Sequence, residues 1–497
     1  MVFVALSLLL QVGWILLLIS RLNQYSTVIS LITGVAGVVA VLRLYSRNTN
    51  NAYKMPWILL MMALPVMGLS LYLMVETAAT PRKSRDKIRR IREKMKPGIR
   101  QDPVATEKLE KASVPQANLS RYLWNYAQAP VYGNTDVRYY GRAEQAYHSM
   151  KEDLKKAEKF IFLEYFIVED GESFEEILSL LREKARQGVQ VRLIYDDVGS
   201  IGYVDLQFAR RLNEEGIQCR VFNPAVPVLN IFMNHRDHRK IMVIDGKVGY
   251  TGGYNLADEY FGITHPYGDW KDTGLRLEGD AVASLTATFL ELWGTTEKTP
   301  EDPASYLDVC PMEAADGFVQ PFGDNPLENE RTAESVYINM ICQAERYVWF
   351  MTPYLIITDE MRQALCLAAK RGVDVRIITP GVPDKRTVYA MTQSYYAGLI
   401  SQGVRIYEYA PGFLHAKQCV CDGAVASVGT SNLDYRSLYL HFENDVVLYR
   451  CAAVKEIEED FRQTMEVSRE VTDQYRTGRS TALRVWQCIL RLVAPLM

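Results

Sequence analysis

The sequence predicts an α/β protein made of two lobes related by a pseudo-twofold axis and preceded by N-terminal transmembrane helices. Three observations carry that expectation. One order of strands and helices runs through the chain twice. A short polar motif occurs once in each copy, with its internal spacing preserved. The first eighty residues hold three long apolar runs, at 3–20, 26–42 and 56–75.

Each apolar run is about as long as a helix that crosses a hydrocarbon core, roughly 20 residues. The first has no basic leading region and no small-residue cleavage site, so it reads as an anchor and not as a cleaved secretion signal. Between Arg82 and Arg100 ten Lys or Arg stand against only Asp86 and Glu93. Such a run beside a span is retained in the cytoplasm, and it also attracts anionic lipid headgroups. Its plainer reading is a solvated helical linker. The expected order is an anchor of two to three helices over 1–80 and a basic, polar linker over 81–116. The remainder is expected on the cytoplasmic side of the cell membrane.

Two lobes follow, at 117–302 and 331–472, joined by 303–330, which is rich in Pro, Gly and acids. Lys156–Glu164 resembles Gln343–Met351, each a helix end running into an apolar strand. Next come matching Gly turns, at Gly188 and Gly372, and then matching strands, Val191–Tyr195 and Val375–Thr379. Strands alternating with helices predict a mostly parallel sheet covered on both faces. The last stretch, 473–497, has apolar positions at helical spacing. It is expected to be an amphipathic helix that lies on the lobes or on a bilayer.

The chain has 497 residues, 48% hydrophobic and 23% charged, enough to build sizeable cores. Its net charge of -3 argues against a general nucleic-acid binder. The eight cysteines are scattered, and Cys419 and Cys421 lack a common zinc spacing, so they are expected to be reduced.

The repeated motif reads H-x-K-x4-D-x6-G-[GT]-x-N. It places His238, Lys240, Asp245 and Asn255 in the first lobe, and His415, Lys417, Asp422 and Asn432 in the second. Residues two apart on a strand share a face, so each His and Lys project together. If the two motifs meet, two imidazoles, two ammonium groups and two amides converge without a cluster of carboxylates or thiolates. That composition suits a phosphate group and requires no metal or organic cofactor. One histidine can attack phosphorus while the other protonates the departing oxygen. Taken singly, either histidine is more simply structural; the duplication favours chemistry. Asp245 and Asp422 complete the motif and join the candidate catalytic set. Each also precedes a glycine, and that turn signal makes a structural role the more natural one. An acid follows each motif, Asp272 in one lobe and Glu443 in the other, with Asp269 as competitor. Either could fix an imidazole tautomer. His148, His235, His265 and His441 lack a duplicated context; His235 and His441 lie near the motifs and could line the pocket, though structural or peripheral roles suit the four best.

These paired motifs resemble the phospholipase D superfamily, and the stretch from Asn234 to Lys240 behind a membrane anchor is similar to bacterial cardiolipin synthases. The resemblance covers nearly the whole chain. It implies two phospholipase-D-like lobes, with each downstream acid serving the histidine of the opposite lobe. It also implies His238 as nucleophile; the residues alone are symmetric on that point. The implied reaction moves a phosphatidyl group between two phosphatidylglycerol molecules, giving cardiolipin and glycerol. Hydrolysis of a lipid phosphodiester and transfer to another alcohol would use the same residues. A membrane scaffold is the rival of another class, and the completeness of both motifs speaks against it.

Overall fold

The computed structural model describes residues 2–20, 26–47, 50–76, 82–224, 234–297, 302–307, 315–328, 330–476 and 481–494. The chain divides into two units. One is chiefly Met1–Pro81 with the chain end from Ala482; the other holds Arg82–Val226 and His235–Thr481.

The helical unit contains α1 (Val2–Ser20), α2 (Ser26–Tyr45), α3 (Asn51–Ala63) and α4 (Pro65–Glu76). Ala40, Leu44, Trp57, Met61 and Tyr72 form its small core. The third apolar run is not one helix but two, of 13 and 12 residues. Pro65 is the cause, because the residue before a proline is driven out of helical backbone, and Leu64 sits at φ -135°, ψ 75°. Among the described residues no helix is long and apolar enough to cross a membrane. The surfaces of α1 and α2 are nonetheless apolar: Leu9, Leu10, Leu31 and Ile32 are each more than 60% exposed. The terminal helix, Thr481–Val493, exposes Val485, Trp486 and Ile489 and buries Leu490.

The larger unit opens with the basic helix α5 (Arg82–Met95) and is built on two sheets. The first uses β1 (Thr135–Tyr140), β2 (Phe160–Tyr165), β3 (Gln190–Asp196), β4 (Gln218–Phe222), β5 (Lys240–Ile244), β6 (Val248–Gly252) and β8 (Gly274–Gly279), with the short β7 (Asp269–Lys271) outside it. The second uses β9 (Phe318–Asp324), β10 (Tyr347–Met351), β12 (Asp374–Pro380), β13 (Arg405–Tyr409), β15 (Gln418–Cys421), β16 (Val425–Gly429), β18 (Glu443–Tyr449) and β19 (Ser468–Glu470). The short strands β11 (Leu355–Ile356), β14 (Gly412–Leu414) and β17 (Leu433–Asp434) complete the set.

Strand order in the first sheet is β1-β8-β6-β5-β2-β3-β4. The second repeats it as β9-β18-β16-β15-β10-β12-β13 and adds β19 at the edge. Phe318–Asp324, expected within the inter-lobe connection, is therefore an edge strand of the second sheet.

The sheets are mixed, not mostly parallel. Only β2-β3-β4 and β10-β12-β13 run parallel. Each motif strand instead turns straight back on itself: β5 pairs antiparallel with β6, and β15 with β16. The cause is local. Asp245-Gly246 and Asp422-Gly423 all have positive φ, between 53° and 69°. The turns close with Lys247 N–H on the Ile244 carbonyl and Ala424 N–H on that of Cys421, both 3.0 Å. Two consecutive residues at positive φ make the turn whose twist suits a hairpin.

Candidate active site

The two lobes are stitched together by backbone at the site itself. Ahead of His415, β14 pairs in parallel with β7, placing Leu414 opposite Lys271. Ahead of His238, Asp237 bridges to Phe442 in the same sense. His415 N–H then donates to the Lys271 carbonyl at 2.8 Å, and His238 N–H to that of Phe442 at 2.9 Å. Lys271 and Phe442 immediately precede Asp272 and Glu443. The register alone sets each histidine beside the acid of the opposite lobe.

The side chains complete this arrangement. His238 Nδ1 lies 2.9 Å from both carboxylate oxygens of Glu443, and His415 Nδ1 lies 2.6 Å from Asp272 Oδ2. All four residues are buried. An ionised acid at Nδ1 fixes the tautomer with its proton there and leaves Nε2 as a lone pair. Asp269, the competing acid, is taken by Arg142 in two contacts of 2.6 Å.

The two acids are held differently. Glu443 also accepts from Thr430 Oγ1 at 2.5 Å and from Ser437 Oγ. Asp272 accepts from the Thr273 N–H at 2.8 Å. Gly253, the counterpart of Thr430 in the motif, makes room for it: a Cβ there would stand 2.0 Å from Asp272 Oδ1. Burial alone would raise both carboxyl pKa values. The attraction and hydrogen bond of His238 nonetheless hold Glu443 well below the usual range, and Lys417 and His415 lower Asp272.

Lys240 and Lys417 stand beside the imidazoles. Lys240 Nζ donates to the His238 carbonyl at 2.5 Å; Lys417 Nζ lies 2.7 Å from His415 Nδ1 and 3.0 Å from Nε2. Burial depresses both ammonium groups, Lys240 to about 7 and Lys417 to about 8, although Glu443 and Asp272 pull them up. Lys417 lowers Lys240 further, so the two motifs share one electrostatic site. Burial also depresses the histidines, His415 to about 4 and His238 well below its ordinary value. At neutral pH the site thus holds neutral imidazoles and ionised acids, with lysines at the edge of protonation.

Asn255 and Asn432 are buried at the same ends of their strands. Asn255 accepts from the Ile167 N–H at 3.1 Å and donates to Tyr260 Oη at 2.7 Å. Asn432 Oδ1 is buried without a partner.

The motif aspartates do not join the reacting groups. Asp245 accepts the N–H groups of Glu158, Lys159 and Phe160 at 2.7–2.8 Å, and Asp422 those of Glu345, Arg346 and Tyr347 at 2.8 Å. Each pins its hairpin to the start of the neighbouring strand. Both carboxylates are occupied by these backbone donors.

His441, near the second motif in sequence, stands beside His238. Its ring centroid is 5.5 Å from that of His238, both of its nitrogens are buried without a hydrogen-bond partner, and Nδ1 is 3.8 Å from Glu443 Oε1. The available signal was its spacing, two residues before Glu443. Among the described residues His238, His441 and Glu443 place one ligand atom each within 4.8 Å of one another, close enough to hold a metal ion. Glu443 already serves three hydrogen bonds, which a metal would have to displace. His235 is tied by Nδ1 to the Leu440 carbonyl at 3.0 Å, and His148 and His265 are exposed.

Comparison with known proteins fits this geometry. Residues 150–293 and 337–465 match the family described as cardiolipin synthase, PLD-like domain. The chain therefore belongs to that family, a branch of the phospholipase-D-like enzymes. A cardiolipin synthase of Halalkalibacterium halodurans is 33% identical over 98% of this chain and 95% of its own. Cardiolipin synthase 2 of Bacillus cereus is 38% identical over 73% of this chain and 71% of its own. The fold resembles a phosphatidylserine synthase of Haemophilus influenzae, with TM-score 0.58 and 13% identity over 76% of this chain and 99% of that one.

Proposed function

We propose that the protein is a membrane cardiolipin synthase that transfers a phosphatidyl group between two phosphatidylglycerol molecules. The observation that carries this reading is the pair of buried His–acid contacts made across the lobes, each with a lysine beside it. Nε2 of His238 attacks phosphorus, forming a P–N bond as the P–O bond to glycerol breaks. His415 takes up a proton at Nε2 as the anionic phosphodiester binds and gives it to the departing oxygen. The terminal hydroxyl of a second phosphatidylglycerol then attacks the phosphatidyl-histidine, its proton passing to His415, and His238 is released. Lys240, Lys417 and Asn432 stabilise charge on the non-bridging oxygens. His238 is the better nucleophile candidate because its acid, Glu443, is fixed by Thr430 and Ser437 as well.

We further infer that α1 and α2 embed in the bilayer, with the catalytic lobes on the cytoplasmic side. Their exposed Leu, Ile and Val side chains support this, since contiguous apolar surface of that extent calls for an apolar partner. Phosphatidylglycerol and other anionic membrane lipids are then the partners. No nucleic acid has a place in this reading.

Product analysis tests the reaction. Full-length protein given phosphatidylglycerol in mixed micelles should yield cardiolipin and glycerol, and His238→Ala and His415→Ala should yield neither. Phosphatidic acid without cardiolipin would replace the synthase with a hydrolase.

A further inference from the structure

Behind the first motif lies a cavity of about 630 Å³ that the transfer reaction does not use. It is walled by α5, the π-helical segment Leu123–Ala127 with the two residues after it, the helix Val282–Thr296 and β9. Its cations are Arg92, Lys96, Arg100 and Arg239, against the single carboxylate Glu291. Arg92 is paired with Glu291 at 2.8 Å and Lys96 with Glu93 at 2.7 Å, whereas among the described residues Arg239 has no carboxylate nearer than 3.6 Å. Along α5 this cavity adjoins one of about 290 Å³, where Arg85 and Arg89 join Arg92 opposite Glu93 and Glu328. Trp124 and Phe322 supply apolar wall. Gln128, shared by both cavities, holds its Oε1 buried without a partner. An orphan acceptor in a cationic, part-apolar pocket suits a ligand that brings anionic oxygens, a hydroxyl donor and some hydrocarbon.

Arg239 joins this cavity to the active site. It stands between His238 and Lys240 but points the opposite way. Its Nε donates to the Glu443 carbonyl at 3.3 Å, while its nearest carboxylates, Glu164 and Glu291, are 3.6 and 4.0 Å away. The second lobe has no such device, since Ala416 occupies the matching position. Gly323 keeps the wall open beside the guanidinium, because a Cβ there would come within 3.3 Å of Arg239 Nη2.

We propose that this cavity binds the headgroup of an anionic, hydroxyl-bearing glycerophospholipid as a second, non-reacting ligand, and that Arg239 relays its presence to Glu443 and His238. The phosphate sits among Lys96, Arg100 and Arg239, and a headgroup hydroxyl donates to Gln128. The proposal rests on the cavity and stands whether or not the transfer reaction is as described above.

Native mass spectrometry of the full chain carrying His238→Ala, in micelles with dihexanoyl phosphatidylglycerol, counts bound lipids directly. The expected count is two per chain, falling by one when Lys96→Glu and Arg100→Glu are added. The second lipid should bind on the order of tenfold more weakly, as lost charge-assisted contacts imply. Gln128→Leu, which leaves charge untouched, should weaken phosphatidylglycerol more than phosphatidic acid. Glycerol 1-phosphate that displaces the second lipid equally well would overturn the lipid as ligand and leave a free phosphate ester in its place. An unchanged count in the Lys96→Glu, Arg100→Glu protein overturns the site. A parent that binds one lipid and a variant that binds none keeps the cavity and removes the active-site reading.

Discussion

Each motif imidazole takes its acid from the other lobe, so neither lobe alone completes a His–acid pair. Replacing Glu443 with Gln leaves shape and volume nearly unchanged but removes the charge at His238 Nδ1. Turnover should fall on the order of 10²–10⁴-fold, as product mass spectrometry would show, and a thermal melt should report some loss of stability, because the amide NH2 faces donors that the carboxylate accepts. Gly253→Ala should act at a distance by pushing Asp272 from His415, with a comparable loss. The lysines set the pH behaviour. With Lys240 at about 7 and Lys417 at about 8, each loses its proton as pH rises through that range. A bound phosphodiester needs them charged, so KM should rise above about pH 7–8. Binding at pH 8 should take up protons, a quantity that calorimetry in buffers of different ionisation enthalpy measures. Both ammonium pKa values are depressed on folding, so the unfolded chain binds more protons between those values and the ordinary lysine range. Stability should therefore increase with pH across that window.

The hairpin is the element that builds the site, and most of it was legible in the sequence. The β-branched run Lys240–Ile244 and the period of two placed His238 and Lys240 together. The Asp-Gly pairs announced tight turns. What the reading missed is their consequence, an antiparallel return that makes the sheets mixed. Strand–helix alternation reports only the parallel half of each lobe, because the antiparallel hairpins contain no helix to alternate with. The motif aspartates had the same ambiguity: spacing ties them to the histidines, whereas their backbone partners lie some 75 to 87 residues away in sequence. Asp422→Ala should cost about 1–3 kcal/mol in denaturant unfolding through the abandoned N–H groups of Glu345, Arg346 and Tyr347. It should lower turnover only as far as it loosens β15.

At the scale of the molecule, the duplication was visible because the spacing from His to Asn survives in both copies. The cross-lobe pairing of acids was implied by resemblance and not by any local pattern, since 143 and 205 residues separate the partners. His441 lies near the second motif in sequence, but it has no histidine counterpart in the other lobe to mark it. The break at Pro65 was missed because hydropathy counts proline as one residue in an apolar run and not as an interruption of helical backbone. The apolar faces of α1 and α2 carry a further expectation. Leu31→Lys with Val35→Lys should release the chain from carbonate-washed membranes, given about 2.5–3.5 kcal/mol for each lysine placed at a helix centre in lipid.

The central claim is that one histidine bonds to phosphorus while the other handles the proton. A phosphatidyl ester of p-nitrophenol separates the two, because its leaving group needs no acid. With this substrate the His415→Ala protein should release a burst of about one p-nitrophenol per site. Peptide mass spectrometry should then find the phosphatidyl group on His238. Label on His415 in the His238→Ala protein, or release without any labelled histidine, would contradict the account.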